Sequence, residues 1–496
     1  MRKNVTVNRR HPEGGRLNAD AGPGRIEFRA DDPSLTPYAG LAVSGELLRG
    51  LRLVALVDAE LAAVDRVAPV KARRRGLSAG GLVVALAESQ LAGGDCFDDI
   101  EDLRADTAGA PLRAVSAMPS APTARQLAAR FKPAHIRAIE RAAARTANEL
   151  DRRLGRDAGE DVTLDLDATE SKVYGRRKQG TGRSRGGHLA YNSYVVTWAQ
   201  RGRALTSELR GGNQARIKAA ESDRMLGRAE KLLPDGHGQI TVRGDSGFYA
   251  AELMMGLRKR RMRFTLSATR TSTMWAKLAE IEDDAWQDAI EMRGAQVAEQ
   301  AFTPQGWEHE PLRLIVRRVP VSAAEIQATS PRARRRKTIP PQQLQMVLDG
   351  QLDSTFAYSF IVTDIYHQPT TWVEHFHRHR AQIEERFKDA KLGHALRHLP
   401  SGKIAANRLW LACPLLALNI TAWVCDISPA AAASANAPDQ DTPLRRHAKA
   451  LRRILFCVPG RIVRSGRQII VRLPDGFPHF ELFNATYHAA LALPGP

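Results

Sequence analysis

Four cysteines in 496 residues, Cys96, Cys413, Cys425 and Cys457, leave no close-spaced pair for a zinc knuckle or redox motif. Nor is there an uninterrupted apolar run of about twenty residues. The best stretch, Leu409 to Val424, is short, carries Pro414 and Asn419, and reads as a buried helix. The start, Met1-Arg2-Lys3-Asn4-Val5, lacks the apolar region of a secretory signal. The expectation is a chain of the reducing cytoplasm, with no membrane partner. Acid is also scarce relative to base: 54 Asp and Glu stand against 73 Lys and Arg, for a formal net charge of +19. Such an excess draws polyanions, and release of counterions from a phosphate backbone would supply much of the binding free energy. Nucleic acid is therefore the leading partner class.

The length exceeds what one hydrophobic core fills and predicts two to four domains. Residues 1–40, rich in Gly, Pro and Arg, read as a flexible basic tail. Residues 41–158 follow a helical pattern, begun by Leu47, Leu48, Leu51 and Val54 and continued by Leu82, Leu86 and Leu91. Within them, Met118 to Thr123 looks like a capped helix start with Leu127 and Phe131 behind it. A DNA-reading helix-turn-helix and an ordinary capped surface helix both fit this stretch.

At Val162 the period changes to two, and strand-like runs recur at Tyr194 to Trp198 and Gln239 to Val242. Helical patterns lie among them at Ala215 to Leu233 and Ala250 to Arg261, so the core from 159 to 268 is mixed α/β. Residues 269–354 read as a strand-rich insertion that includes Leu312 to Val316 and a basic loop, Ser330 to Pro341. The core resumes at 355–427 with a strand, Tyr358 to Val362, and a long helical region from Trp372 to about Val424. A linker (428–443) and a basic C-terminal appendix (444–496) complete the chain. The arginine-dense Leu444 to Arg472 suits either a phosphate backbone or a solvated face.

Three carboxylate-bearing segments stand out. In Leu164-Asp165-Leu166-Asp167 the leucines share one strand face and the aspartates the other. Paired carboxylates on a partly buried sheet need a cation or hydrogen bonds to offset their desolvation; a solvent-facing acidic edge is the alternative. The strand Gln239 to Val242 runs on through Arg243-Gly244 to Asp245-Ser246-Gly247, placing Asp245 where the chain leaves the sheet. Open α/β sheets expose functional groups there, although an Asp-Ser-Gly turn can simply cap the next helix. The third segment runs from Phe376 to Lys391. At about 100° per residue, Phe376, Ile383, Phe387 and Ala390 make an apolar stripe beside a second stripe of His377, Arg380, Glu384 and Lys391. Glu384 then serves either as a metal ligand among bases that grip a phosphodiester backbone, or as one half of an exposed i,i+4 ion pair with Arg380.

Phosphoryl transfer on DNA calls for two divalent ions about 4 Å apart, and hard carboxylates suit Mg²⁺, with Mn²⁺ as a substitute. One of the pair Asp165 and Asp167, together with Asp245 and Glu384, makes up the candidate catalytic and metal-binding residues. His377, Arg380, Lys391, Arg243 and Lys388 are the candidate DNA contacts.

These residues resemble the Asp-Asp-Glu (DDE) transposases of bacterial insertion sequences. His377, Arg380, Glu384 and Lys391 are similar to their Tyr-x2-Arg-x3-Glu-x6-Lys signature, with histidine in the tyrosine position. Leu164 to Thr169, Val173 to Arg176, Leu209 to Asn213, Arg243 to Phe248 and Ala405 to Trp410 are similar to the group named for insertion sequence thirteen-eighty. The resemblance implies a ribonuclease-H-like catalytic core with a strand-rich insertion, preceded by a helical DNA-binding domain, and it selects Asp167 over Asp165. It implies an enzyme that binds double-stranded DNA at terminal inverted repeats, hydrolyses a strand at each element end and joins the freed 3′-hydroxyl to target DNA. It also implies a homodimer or synaptic assembly. A catalytically silent DNA-binding protein derived from such an element is the alternative. The loop Gly175 to Gly187 lacks a Walker ending and reads as a flexible basic hairpin near DNA.

Overall fold

The computed structural model describes residues 27–71, 75–184, 186–214, 218–327, 336–381, 393–428 and 448–493. Its centre is the strand predicted from the period-two pattern, β2 (Val162–Lys172); the short β1 (Leu35–Thr36) precedes it. Leu164 and Leu166 are buried in one core, against α7 (Ala219–Glu230) and α8 (Ala251–Lys259). The aspartates face the other side of the sheet, as alternation requires.

On one side of β2 lie β4 (Leu189–Trp198) and then β5 (Arg203–Gly211), both antiparallel to their neighbours, with the two-residue β3 (Gly182–Arg183) also on β4. On the other side β6 (Ile240–Gly244) runs parallel to β2, and β7 (Arg263–Ser267) parallel to β6. Leaving β3 aside, these five strands stand in space as third, second, first, fourth and fifth in chain order.

The stretch read as an insertion contains α9 (Ser272–Ala279), β8 (Gln287–Asp288), β9 (Gln296–Phe302), β10 (Leu312–Ser322), α10 (Ala323–Gln327) and α11 (Pro341–Leu348). Its strands build no separate sheet. They continue the same one beyond β7, through β11 (Ser354–Thr363), β10, β9 and β8, to ten strands in all. The free edge of β7 is thereby paired rather than exposed.

The long helical region expected from Trp372 is divided. Here α12 (Thr370–Arg378) ends with a turn at His379 and Arg380, and α13 (Ile404–Ile427) starts only after Pro400-Ser401-Gly402. Pro400 and Gly402 account for the second of these breaks. By length and composition α13 could cross a membrane, but 78% of its most apolar window is buried inside the protein. Asn419 shows why a polar residue sits mid-helix: its amide accepts from the Ala204 N–H (2.8 Å) and donates to the Ala204 carbonyl (2.9 Å), fixing α13 to β5.

The N-terminal helices α1 (Leu41–Gly50), α2 (Leu53–Asp65), α3 (Ala79–Ala92), α4 (Ile100–Ala105), α5 (Ala121–Ala128) and α6 (Pro133–Arg153) share one core with α13. The α5–α6 pair is where the expectation of a helix-turn-helix or an ordinary capped helix falls. Here α6 packs on α2, α13 and β5, and its Arg141 and Arg145 bind Glu60. The opposite face of α6 keeps Arg137, Arg145 and Arg152 exposed.

The expected C-terminal appendix is integral to this body over its described residues. After α14 (Ala448–Leu451) and one π-helical turn come β12 (Gly460–Ser465), β13 (Gln468–Arg472) and α15 (Phe480–Leu491). β12 pairs with β1, so residues just before Leu41 are strand rather than tail. Arg452 donates to the Gln90 and Leu91 carbonyls (2.7 and 2.8 Å), which close the C-terminus of α3. At Gly40 an added Cβ would lie 1.5 Å from the Leu455 carbonyl oxygen, so only glycine permits this approach. A count of basic residues misses this, because the apolar Ile454, Leu455 and Phe456 are what dock the segment.

Candidate active site

The parallel ladder between β2 and β6 pairs Asp165 with Arg243 and Leu166 with Gly244. Asp167, on β2, and Asp245, just past the end of β6, are the residues that follow the last of these pairs, so the sheet brings the two acids side by side. Both are half-buried. Gly244 is needed just before Asp245, since a Cβ there would meet Leu266 Cδ2 at 2.9 Å and Phe248 Cβ at 3.2 Å. Asp245 Oδ1 accepts from the Gly247 N–H at 2.8 Å, so the Asp-Ser-Gly turn exists and itself orients the carboxylate. Phe248 then buries its ring against Tyr194, with centroids 5.3 Å apart.

Asp165 is placed differently from Asp167. It is buried, and the Arg243 guanidinium grips both its oxygens from Nε (2.6 Å) and Nη2 (2.8 Å). Nη1 of the same guanidinium donates to the Phe376 carbonyl (2.6 Å), and the group lies 4.9 Å from the Phe376 ring centroid. This bidentate pair crosslinks β2 and β6 two residues before each candidate ligand and ties both strands to α12.

Two expected DNA contacts are corrected by burial. Arg243 is 4% exposed and faces Asp165 rather than solvent. His377 is buried on β7, with Thr265 Oγ1 against Nδ1 and Ser267 Oγ 2.9 Å from Nε2. Burial, with the nearby Arg380, Arg243 and Arg317, pushes its pKa down to about 3, so the ring is neutral. A neutral, enclosed imidazole anchors α12 and does not reach a phosphate. Arg380 remains half-buried beyond the end of α12, its N–H donating to the His377 carbonyl (3.0 Å). Glu384, Lys388 and Lys391 lie outside the described residues.

Sequence reasoning missed Glu374. Fully buried on α12, it receives Arg317 from β10 and Arg378 one turn on (3.2 Å), holding the helix that carries Phe376 and His377 on the sheet. Its signal was faint, a single acid in a run of His and Arg.

Asp167 and Asp245 suit a hard divalent cation: both are carboxylates, they are adjacent, and the like charge of Asp165 is already neutralised by Arg243. Among the described residues no third acid joins them within ligand distance. The tight cluster Asp95, Cys96 and Asp99 lies in the helical body, where Asp99 Oδ2 accepts the N–H groups of Asp95 and Cys96.

The sequence matches the family described as Transposase DDE domain group 1 over residues 24–330 and 346–494. No curated protein matches it. Among solved structures, a cryo-EM piggyBac transposase synaptic complex with hairpin DNA aligns over 92% of this chain and 83% of that one, at 9% identity and a TM-score of 0.39. A likeness of that degree carries no argument about the site. The family match covers most of the chain, mixed sheet and both Asp167 and Asp245 included, and the protein belongs to the Transposase DDE domain group 1 family.

Proposed function

We propose that the protein is an insertion-sequence transposase of the thirteen-eighty type, which hydrolyses a DNA strand at each terminal inverted repeat and joins the 3′-hydroxyl to target DNA. The observation that carries this is the juxtaposition of Asp167, within β2, and Asp245, at the exit of the parallel neighbour β6, each the residue after the last register pair Leu166–Gly244. A ribonuclease-H-like core is supported by the order third, second, first, fourth, fifth, with the first three strands antiparallel and the last two parallel to the first. The net charge of +19 supports duplex DNA as the partner.

In this reading Asp167, Asp245 and Glu384 hold Mg²⁺, or Mn²⁺ in its place. Bound there, two divalent ions would activate the attacking oxygen and stabilise the leaving one. The Asp245 turn and the Asp165–Arg243 pair set the carboxylates in place beforehand, which removes reorganisation from the reaction. Arg380, Lys388 and Lys391 bind the backbone flanking the scissile phosphate. The enzyme works as a homodimer or larger synaptic assembly, at the nucleoid in the cytoplasm.

The test is cleavage of a supercoiled plasmid carrying the element's ends, with Mg²⁺ and with EDTA. Wild type should nick and linearise it only with the metal, while Asp167→Ala, Asp245→Ala and Glu384→Ala fold and do not cut. Equal cutting by wild type and Asp245→Ala would sink the assignment.

A further inference from the structure

Beyond Asp167, β2 continues for five residues to Lys172, and the aspartate-bearing face runs on through Thr169 and Ser171. A cleft of about 950 Å³ opens at that end, walled by the close of β2, the turn after it, the segment following residue 392 and the start of the C-terminal part. Ser171 Oγ donates to the Leu396 carbonyl (3.5 Å), and Lys178 Nζ to the Leu399 carbonyl (2.5 Å), so two walls are bonded together. The basic loop expected to be a flexible hairpin is thus docked over its described part: the Gln179 N–H also reaches the Gly402 carbonyl (2.9 Å).

Lysine and arginine outnumber acids five to two in the lining. Lys178 and Arg452 are engaged with backbone carbonyls. Lys172, Arg397 and Lys449 are exposed, and among the described residues none is paired with an acid. Beside them Tyr174 is 86% exposed, with Lys172 Nζ 5.6 Å from its ring centroid. Cations along a groove with an open aromatic face are what a single nucleic-acid strand requires, phosphates meeting the charges and a base stacking on the ring. The volume is that of a small-ligand cleft and matches a few nucleotides of one strand. Ser171 is four residues from Asp167, about 13 Å along a strand. A stacked DNA strand covers that distance in about four nucleotides.

We propose that this cleft holds a single, unpaired DNA strand about four nucleotides from the phosphodiester attacked beside Asp167 and Asp245. Lys172, Arg397 and Lys449 bind its phosphates and Tyr174 stacks on one base. The assignment rests on the transposase reading above, and it adds that the DNA end is held open rather than gripped as duplex.

Fluorescence anisotropy on the full chain in EDTA compares a blunt duplex with the same duplex carrying five unpaired thymidines at one end. Wild type should bind the extended probe about tenfold more tightly. In Tyr174→Ala that ratio falls toward one, while Tyr174→Phe keeps it. Lys449→Ala should reduce the slope of log affinity against log salt on the extended probe by about 0.7. Equal wild-type affinity for both probes, or a ratio unchanged in Tyr174→Ala, overturns the assignment. If that result comes with retained Mg²⁺-dependent plasmid cutting, only the cleft is misassigned. If wild type binds neither probe and cuts nothing, the transposase reading falls too.

Discussion

Replacing Arg243 by methionine tests the most specific structural statement about the site. Arg243 and Asp165 are 4% and 2% exposed, and the guanidinium makes three bonds of 2.6 to 2.8 Å, two to the carboxylate and one to the Phe376 carbonyl. Arg243→Met leaves the Asp165 carboxylate buried without its guanidinium, a change that costs about 3–5 kcal/mol. The double variant Asp165→Leu/Arg243→Met removes both charges and should recover most of that loss, since a well-packed apolar pair often equals a buried ion pair. Thermal and urea unfolding of wild type, Arg243→Met, Asp165→Leu and the double variant form a double-mutant cycle that isolates the pair. The same variants report function. Because the pair fixes β2 and β6 two residues before Asp167 and Asp245, metal-dependent cutting by Arg243→Met should fall below the temperature at which it unfolds. Its DNA affinity should keep the wild-type salt slope. A phosphate contact by Arg243 would instead lower that slope by about 0.9. A single variant as stable as wild type, or a slope reduced by that amount, would refute the buried-pair account.

Other consequences follow from burial and close approach. Burial raises the Glu88 carboxyl to about 7, against which the Ala114 and Val115 N–H groups and Arg113 act. The folded state therefore binds the extra proton, and stability conferred by it is lost as pH rises from about 4.5 to 7. Glu88→Gln should raise the melting temperature at pH 8 and change it little at pH 4. His377 has the opposite sign: with its folded pKa pushed down to about 3, the unfolded chain binds the extra proton, and stability falls as pH drops from about 6.5 toward 3. A His377→Asn variant should show a flatter acid limb in melts across that window. Gly40→Ala drives a Cβ into the Leu455 carbonyl and should cost at least about 1–3 kcal/mol, read as an earlier urea transition. Removing residues 448–493 should expose the apolar faces of α1 and α3 and yield aggregated protein on size-exclusion chromatography.

Much of this was legible in the chain itself. The switch to period two at Val162 marks β2, because alternation is a local property of a strand. The Gly-Asp-Ser-Gly sequence marks the end of β6, because a tight exit from a sheet needs a glycine and an Asp-centred turn. The apolar run around Trp410 announces a buried helix, and the excess of Lys and Arg favours a polyanionic partner. All depend on residues near one another in sequence.

What the tertiary structure decided depends on residues far apart. Strand register sets Asp165 against Arg243 and so separates it from Asp167, two residues away and identical in type. Burial on β7 turns His377 from a candidate phosphate contact into a neutral anchor, a change no helical wheel reveals because the wheel does not say which stripe faces the sheet. The joining of Leu35 and Thr36 to Arg461 and Gly460 spans more than four hundred residues of chain and makes the basic C-terminal segment part of the N-terminal helical body. The sequence by itself determined which residues could carry charge, metal or turn. Long-range packing, by burying some of those charges and exposing others, decided which are free to act.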